Sequence, residues 1–163
     1  MSFDSKGYLL TPDDGPQLWF LDTRMNIKAG GAQTGGAFTL IEWSAPAGFG
    51  PPLHVHGLDD EGFYILDGEI SIECGDKHCT AGPGDFTFLP RGIPHTFLVT
   101  RGPVRGLQIT APAGFEDFIA EAGRPAQRPG LPEPTEPDIP RLIAAAQRYG
   151  NQILGPPPAP PSR

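Results

Sequence analysis

Four residues of this chain have the types and the spacing to hold a metal ion. His54 and His56 lie one residue apart, Glu61 follows five residues later, and His95 closes a second stretch, Gly84-Asp-Phe-Thr-Phe-Leu-Pro-Arg-Gly-Ile-Pro-His95. In an extended strand alternate side chains share a face. His54-Val55-His56 therefore sets two imidazoles side by side and turns Val55 away. Gly57 to Asp60 is a polar turn, with Asp59 and Asp60 expected simply to cap it, and Glu61 heads a returning strand, Gly62-Phe-Tyr-Ile-Leu66. Folded back, the carboxylate of Glu61 joins the two imidazoles, and His95 supplies a fourth donor. Imidazole nitrogens and a carboxylate oxygen with open positions suit one divalent ion per chain. Iron, manganese, nickel, cobalt, copper and zinc all fit such donors, and the residue types do not choose among them.

The elements around these residues are short strands punctuated by glycine and proline, of which the chain holds 22 and 21. Strands are expected over Tyr8–Leu10, Leu18–Leu21 and Arg24–Lys28, with a Gly-rich flexible stretch from Ala29 to Gly36. Phe38–Ser44 combines β-branched and aromatic residues and reads as a firm strand. Glu69–Cys74 alternates, with Ile70 and Ile72 on one face, and Lys77–Ala81 returns against it. Asp85–Leu89, Thr96–Val99 and Val104–Thr110 complete the set. Eight to ten such strands indicate an antiparallel sandwich or barrel. After it, Phe115, Phe118, Ile119 and Ala122 fall at helical spacing, with Gly123 as a stop. Asp138 is placed as an N-cap with Pro140 in the first turn, and Ile139, Leu142, Ile143 and Ala146 form an apolar face. The two helices are expected to pack on the outside of the barrel. The chain thus divides into an arm (1–37), a barrel core (38–111), helices and connector (112–155) and a Pro-rich tail (156–163), the tail read as an unstructured terminus.

Composition narrows the partners. Nineteen acidic against twelve basic residues give a net charge of −7 over 163 residues. With no basic cluster, nucleic acid and anionic membranes are not expected as partners. No apolar run reaches spanning length and the N-terminus carries no secretory core, so the expectation is a soluble cytoplasmic protein. Cys74 and Cys79 would face each other and could bridge across a four-residue loop, but they are out of register if Gly75-Asp76 is a two-residue turn, and cytosolic thiols stay reduced.

The two ligand stretches resemble the cupin family. The first fits Gly-x5-His-x-His-x4-Glu-x6-Gly at Gly48, His54, His56, Glu61 and Gly68. The second fits Gly-x5-Pro-x-Gly-x2-His at Gly84, Pro90, Gly92 and His95. The family's second motif ends in Asn, where this sequence has Val99, a drier residue that is no ligand. The resemblance implies an all-β fold, an antiparallel jelly-roll β-barrel with one or two C-terminal helices. It also implies a homodimer to which residues before Phe38 contribute.

Strand alternation then sets the pocket. If Glu61 and His95 point inward, so do Phe63, Ile65, Phe97 and Val99, with Phe38 or Leu40 from a neighbouring strand. That wall is apolar and suits an aromatic or enolisable small molecule better than a sugar nucleotide. The layout is similar to single-domain bacterial cupins of the quercetinase type. That resemblance implies His54, His56, Glu61 and His95 as ligands, Glu61 also as acceptor of a substrate hydroxyl proton, and dioxygen as the agent of ring cleavage. Two other classes stay open, a metal-dependent isomerase or cyclase of a natural-product intermediate and a non-catalytic binder of metal or small ligand. One fold hosts many chemistries.

Overall fold

The structure is a computed structural model and describes residues 7–159. Its elements run in the order β1 (Gln17–Phe20), β2 (Thr23–Ala29), α1 (Gly31–Thr34), β3 (Thr39–Ala45), β4 (Leu53–His56), β5 (Asp60–Cys74), β6 (Lys77–Ala81), β7 (Phe86–Leu89), β8 (His95–Ala111), α2 (Phe115–Ala122), β9 (Arg124–Pro125), α3 (Ile139–Arg148) and β10 (Asn151–Gly155). The ten strands join one antiparallel sheet that wraps as a cupin jelly roll, as the strand pattern predicts.

Two long strands organise it. β5 has 15 residues and β8 has 17, and they pair along almost their whole length, from Asp60 opposite Ala111 to Cys74 opposite His95. Each was expected as two shorter strands. The chain runs through the intervening Gly68 and Gly102-Pro103 without leaving the sheet, because register shifts between Ile65 and Ile70 absorb the irregularity. Those shifts reverse the inward parity. Glu61, Phe63 and Ile65 are buried before them, Ile70 and Ile72 after them. On β8, Phe97 and Val99 are buried on one side of the break and Val104, Gln108 and Thr110 on the other. Gly68 has no alternative here: its φ is +82°, and a Cβ would lie 2.7 Å from the Arg101 carbonyl oxygen.

The core runs through the roll from Ile41, Trp43 and Ala45 on β3 to Ile65, Ile70 and Ile72 on β5 and Val104 on β8, all nearly inaccessible. Tyr64 points outward, as alternation requires. Cys74 faces Lys77, Cys79 faces Ile72, and both thiols are free.

Several local expectations are corrected. Tyr8–Leu10 is not a strand. Tyr8 instead donates its hydroxyl to the Lys28 carbonyl, and the Lys28 ammonium gathers the carbonyls of Thr11, Pro12 and Asp14, so the arm lies along β2. The Gly-rich stretch contains the short α1. Glu116 on α2 clasps it by accepting from the Gly31 and Gly114 amides and from the Thr39 hydroxyl. α2 and α3 form where periodicity puts them, and the Asp138 carboxylate accepts from the Arg141 amide at 3.1 Å as an N-cap. Beyond α3 the chain forms β10, which sequence reading missed. It pairs with β4, Asn151 opposite His56 and Ile153 opposite His54. The tail begins ordered, with the Leu53 amide donating to the Pro156 carbonyl; residues 160–163 lie outside the described part.

Candidate metal centre

His54 and His56 stand on β4, Glu61 on β5 and His95 at the start of β8. One donor atom from each lies within 4.8 Å of all the others. His54 is half-buried, whereas His56, Glu61 and His95 are buried. β4 and β8 meet here directly, His54 opposite His95. The turn after β4 is fixed to the loop before β8, since the His56 carbonyl accepts from the Gly92 amide at 2.8 Å. Asp60, next to Glu61, grips Arg91 with both carboxylate oxygens and also accepts from the Arg91 amide. The side-chain bond from Arg91 holds the Asp60 carboxyl down at about 2. Asp60 thereby couples the two ligand stretches.

Every imidazole is oriented by its far nitrogen. The His54 Nδ1 lies 2.7 Å from the Pro52 carbonyl oxygen, and the His95 Nδ1 lies 3.0 Å from that of Ile93. The His56 Nδ1 lies 2.8 Å from the Asp59 carboxylate. With Nδ1–H donating to these oxygens, all three Nε2 atoms can offer lone pairs to an ion that takes the place of any proton at the centre, the arrangement that metal-bound histidines use. Asp59 therefore does more than cap a turn. The signal for it was an acidic residue three positions after a ligand histidine. The structure also brings in Gln108, which sequence reasoning did not single out. Its amide nitrogen donates to Glu61 Oε1 at 2.5 Å, while Glu61 Oε2 lies 3.1 Å from His95 Nε2.

The electrostatics follow from burial and crowding. Burial lowers the His54 pKa to about 4, helped by the neighbouring His95 and opposed by Glu61. For Glu61, burial pushes upward, but the charge of His56 and the hydrogen bond from His95 outweigh it and bring the carboxyl to about 2. His56 feels burial downward, yet Glu61 and Asp59 carry it above its usual value. A neutral His54 and an ionised Glu61 are the states in which these side chains ligate. Three aligned Nε2 atoms and one carboxylate fit a divalent transition ion on the chemistry of the donor set.

His54, His56 and Glu61 line a cavity of about 690 Å³, counting its mouth, and His95 reaches the centre without lining it. Phe63 and Phe97 line it, as expected. Ile65 and Val99 point inward but are packed into the core, at 0 % and 2 % exposure, and do not line the cavity. Phe38 is half-buried just before β3 and does not line it either. Inward parity does not guarantee an open space in front of a side chain. The lining comes instead from Trp43, Phe49 and the helices. Phe115 lies nearly parallel to the His56 ring at 5.6 Å between centroids, and Phe118 and Leu142 continue the wall. The helices thus cover the roll and also shape its cavity. Asn151 is one of the few polar lining residues, and its buried Oδ1 has no partner among the described residues.

Residues 42–110 match the family model described as "Cupin domain". The chain is 27 % identical over 118 residues to quercetin 2,3-dioxygenase of Bacillus subtilis (strain 168), covering 72 % of this chain and 35 % of that protein. It is 29 % identical over 100 residues to the quercetin 2,3-dioxygenase of Aspergillus japonicus, covering 57 % and 29 %. The chain thus spans about a third of the length of these curated relatives. Among solved structures, KdgF from Halomonas sp. superposes with a TM-score of 0.60 at 14 % identity, over 68 % of this chain and 97 % of that one. A predicted oxalate decarboxylase of Thermotoga maritima does so with a TM-score of 0.57 at 20 % identity, over 65 % and 99 %. At such identities the structural likeness speaks for the fold alone. The fold is a cupin jelly roll, residues 42–110 match the cupin domain, and the chain resembles the quercetin dioxygenase-like members of that family.

Proposed function

We propose that this cupin is a metal-dependent dioxygenase of the quercetinase type, acting on an aromatic or enolisable small molecule. The observation that carries the reading is the pairing of the His54–His56–Glu61–His95 cluster with a cavity walled by aromatic side chains and, among the described residues, lined by no lysine or arginine. A small dianion such as a dicarboxylate would meet no lysine or arginine on that wall away from the cluster, whereas a planar aromatic ring meets Trp43, Phe63, Phe97 and Phe115. A divalent ion held by the cluster would supply Lewis acidity that lowers the pKa of a coordinated hydroxyl. The chain's own part is to present three aligned imidazole lone pairs, to hold Glu61 ionised so that it accepts the hydroxyl proton within hydrogen-bond reach, and to keep water away with the aromatic wall. Glu61 is then both ligand and base. Phe63, Phe97 and Phe115 are the proposed substrate contacts, and Ile65, Val99 and Phe38, which do not line the cavity, are not among them. The described residues contain no helix long and apolar enough to cross a membrane. We place the protein in the cytoplasm as a homodimer.

The test is elemental analysis of the purified protein together with oxygen uptake on a flavonol. Bound transition metal with flavonol-dependent uptake is the expected result. Metal-dependent turnover of an enolisable substrate without oxygen uptake would favour the isomerase or cyclase class. Ligand binding without any turnover would mark a binding protein.

A further inference from the structure

Glu61 has two carboxylate oxygens, and they are treated differently. Oε2 lies 3.1 Å from His95 Nε2 and has no other hydrogen-bond partner among the described residues. Oε1 lies 3.9 Å from His56 Nε2 and accepts from the Gln108 amide at 2.5 Å. Glu61 and Gln108 are 4 % and 3 % exposed, so water does not compete for that bond. Gln108 is held in place by the backbone of β8 between β5 and β3, with Phe63 on one side and Ile41 on the other. It also lines the cavity. An ionised carboxylate can bind an ion through one oxygen or through both. Which it does depends on whether the second oxygen is already engaged.

We propose that Gln108 is a positioning residue that makes Glu61 a one-oxygen ligand, by occupying Oε1 and leaving Oε2 alone to the ion. This rests on the metal-binding reading of the cluster. Its consequence is a count of positions. Three Nε2 atoms and one oxygen leave open sites toward the aromatic cavity, whereas a carboxylate bound through both oxygens would close one of them. An amide suits the task chemically. It donates without carrying a charge, so it engages the oxygen without competing with the ion for the negative charge. An acid in its place would repel Glu61, and an apolar residue would leave Oε1 free to turn toward the metal.

Isotope-edited infrared spectroscopy on Zn(II)-loaded protein with labelled glutamate reads this without any activity. The separation between the antisymmetric and symmetric carboxylate stretches is wide for one-oxygen ligation and narrow for two-oxygen ligation. The wild-type chain is expected to show a Zn(II)-dependent band pair with wide separation, lost in Glu61→Gln. In Gln108→Met, which keeps length and drops the donor, the separation is expected to narrow. A narrow separation in the wild type, or a wide one unchanged in Gln108→Met, would overturn the proposal. Should Gln108→Met not fold, the wild type alone decides. Its Gln108 side-chain amide protons are expected to exchange slowly with deuterium in the Zn(II)-loaded chain, and fast exchange overturns the assignment. A wild-type chain that binds no Zn(II) overturns the metal reading itself, an outcome separate from these.

Discussion

At the scale of single residues, the centre is decided by what holds the ligands as much as by the ligands. Each imidazole spends Nδ1 on an oxygen, and only one of those oxygens, on Asp59, belongs to a side chain. Asp59→Ala leaves His56 free to change tautomer and rotate. Loss of such a partner costs roughly 10–100-fold in metal affinity, and titration of metal-free protein with Zn(II) against a competing chelator measures it. The charge on Glu61 has a separate consequence. Glu61→Gln keeps the size and one coordinating oxygen but removes the base, and three imidazoles remain. Metal content is expected to fall only in part, while turnover falls about 10²–10⁴-fold, the usual contribution of a general base. Metal stoichiometry measured alongside oxygen uptake checks this. Activity that tracks bound metal would make Glu61 a ligand only.

At the scale of elements, the segments after the barrel complete the site. β10 backs the ligand strand β4, and the Gly57 amide donates to the Gly150 carbonyl at 2.9 Å just before β10 begins. Gly150 has a φ of +75°, and a Cβ there would lie 2.6 Å from Leu58. Gly150→Ala is therefore expected to cost at least about 1 kcal/mol, read as a lower midpoint in urea, with weaker metal binding because His56 precedes the tethered Gly57. Leu142 joins α3 to the core and to the cavity wall. Leu142→Ala should cost about 2–5 kcal/mol and enlarge the cavity, which a bound apolar dye would report. Glu116 holds α1, β3 and α2 together. Burial pushes its carboxyl up, but the Gly31 amide and Thr39 hydroxyl outweigh that and hold it below its usual value. A lowered native pKa means that the unfolded chain takes up the proton first. The contribution is complete at neutral pH and lost as pH falls below the ordinary carboxylate value. Glu116→Gln should flatten the acid side of the stability curve.

At the scale of the whole molecule, the outer face of the sheet is unusually apolar. Phe86 and Phe88 on β7 are each 59 % exposed, Tyr64 on β5 is 43 % and Ile109 on β8 is 37 %. They form two adjoining rows, because Gly62 pairs with both Phe88 and Ile109 while Tyr64 pairs with Phe86. At about 200 Å² per aromatic side chain, the four offer roughly 400 Å², half of the ~800 Å² per partner in a standard interface. The arm adds Tyr8 and Leu9, exposed beside β2. Among the described residues β7 pairs with β5 alone, which leaves it as an edge open to a second copy. A homodimer across this face is the expected state, and light scattering at micromolar concentration should give twice the chain mass. Phe86→Asp with Phe88→Asp should halve it while the circular dichroism stays that of a β protein. A monomer mass for the wild type would refute the assembly.

Much of the centre was written in residue order. His54, His56 and Glu61 are local neighbours, and their spacing with strand alternation suffices to bring them together. His95 is distant in sequence but arrives through a motif of its own, with Pro90 and Gly92 shaping the turn that delivers it. The helices were legible from periodicity and from the Asp138 cap. Other features depended on how strands register with one another. The register shifts between Ile65 and Ile70 invert which residues face inward, so alternation carried across them cannot find Gln108; nor does inward parity, correct for Ile65 and Val99, tell that they meet packed core and not open space. β10 is half polar and short, and it is a strand only because β4 offers it an edge. The cavity wall from Phe115 and Leu142 arises where α2 and α3 come to rest. Local propensity and spacing act within a few residues and can be read from one chain in order. Register and docking are settled by contacts between segments far apart, which exist only once the roll has closed.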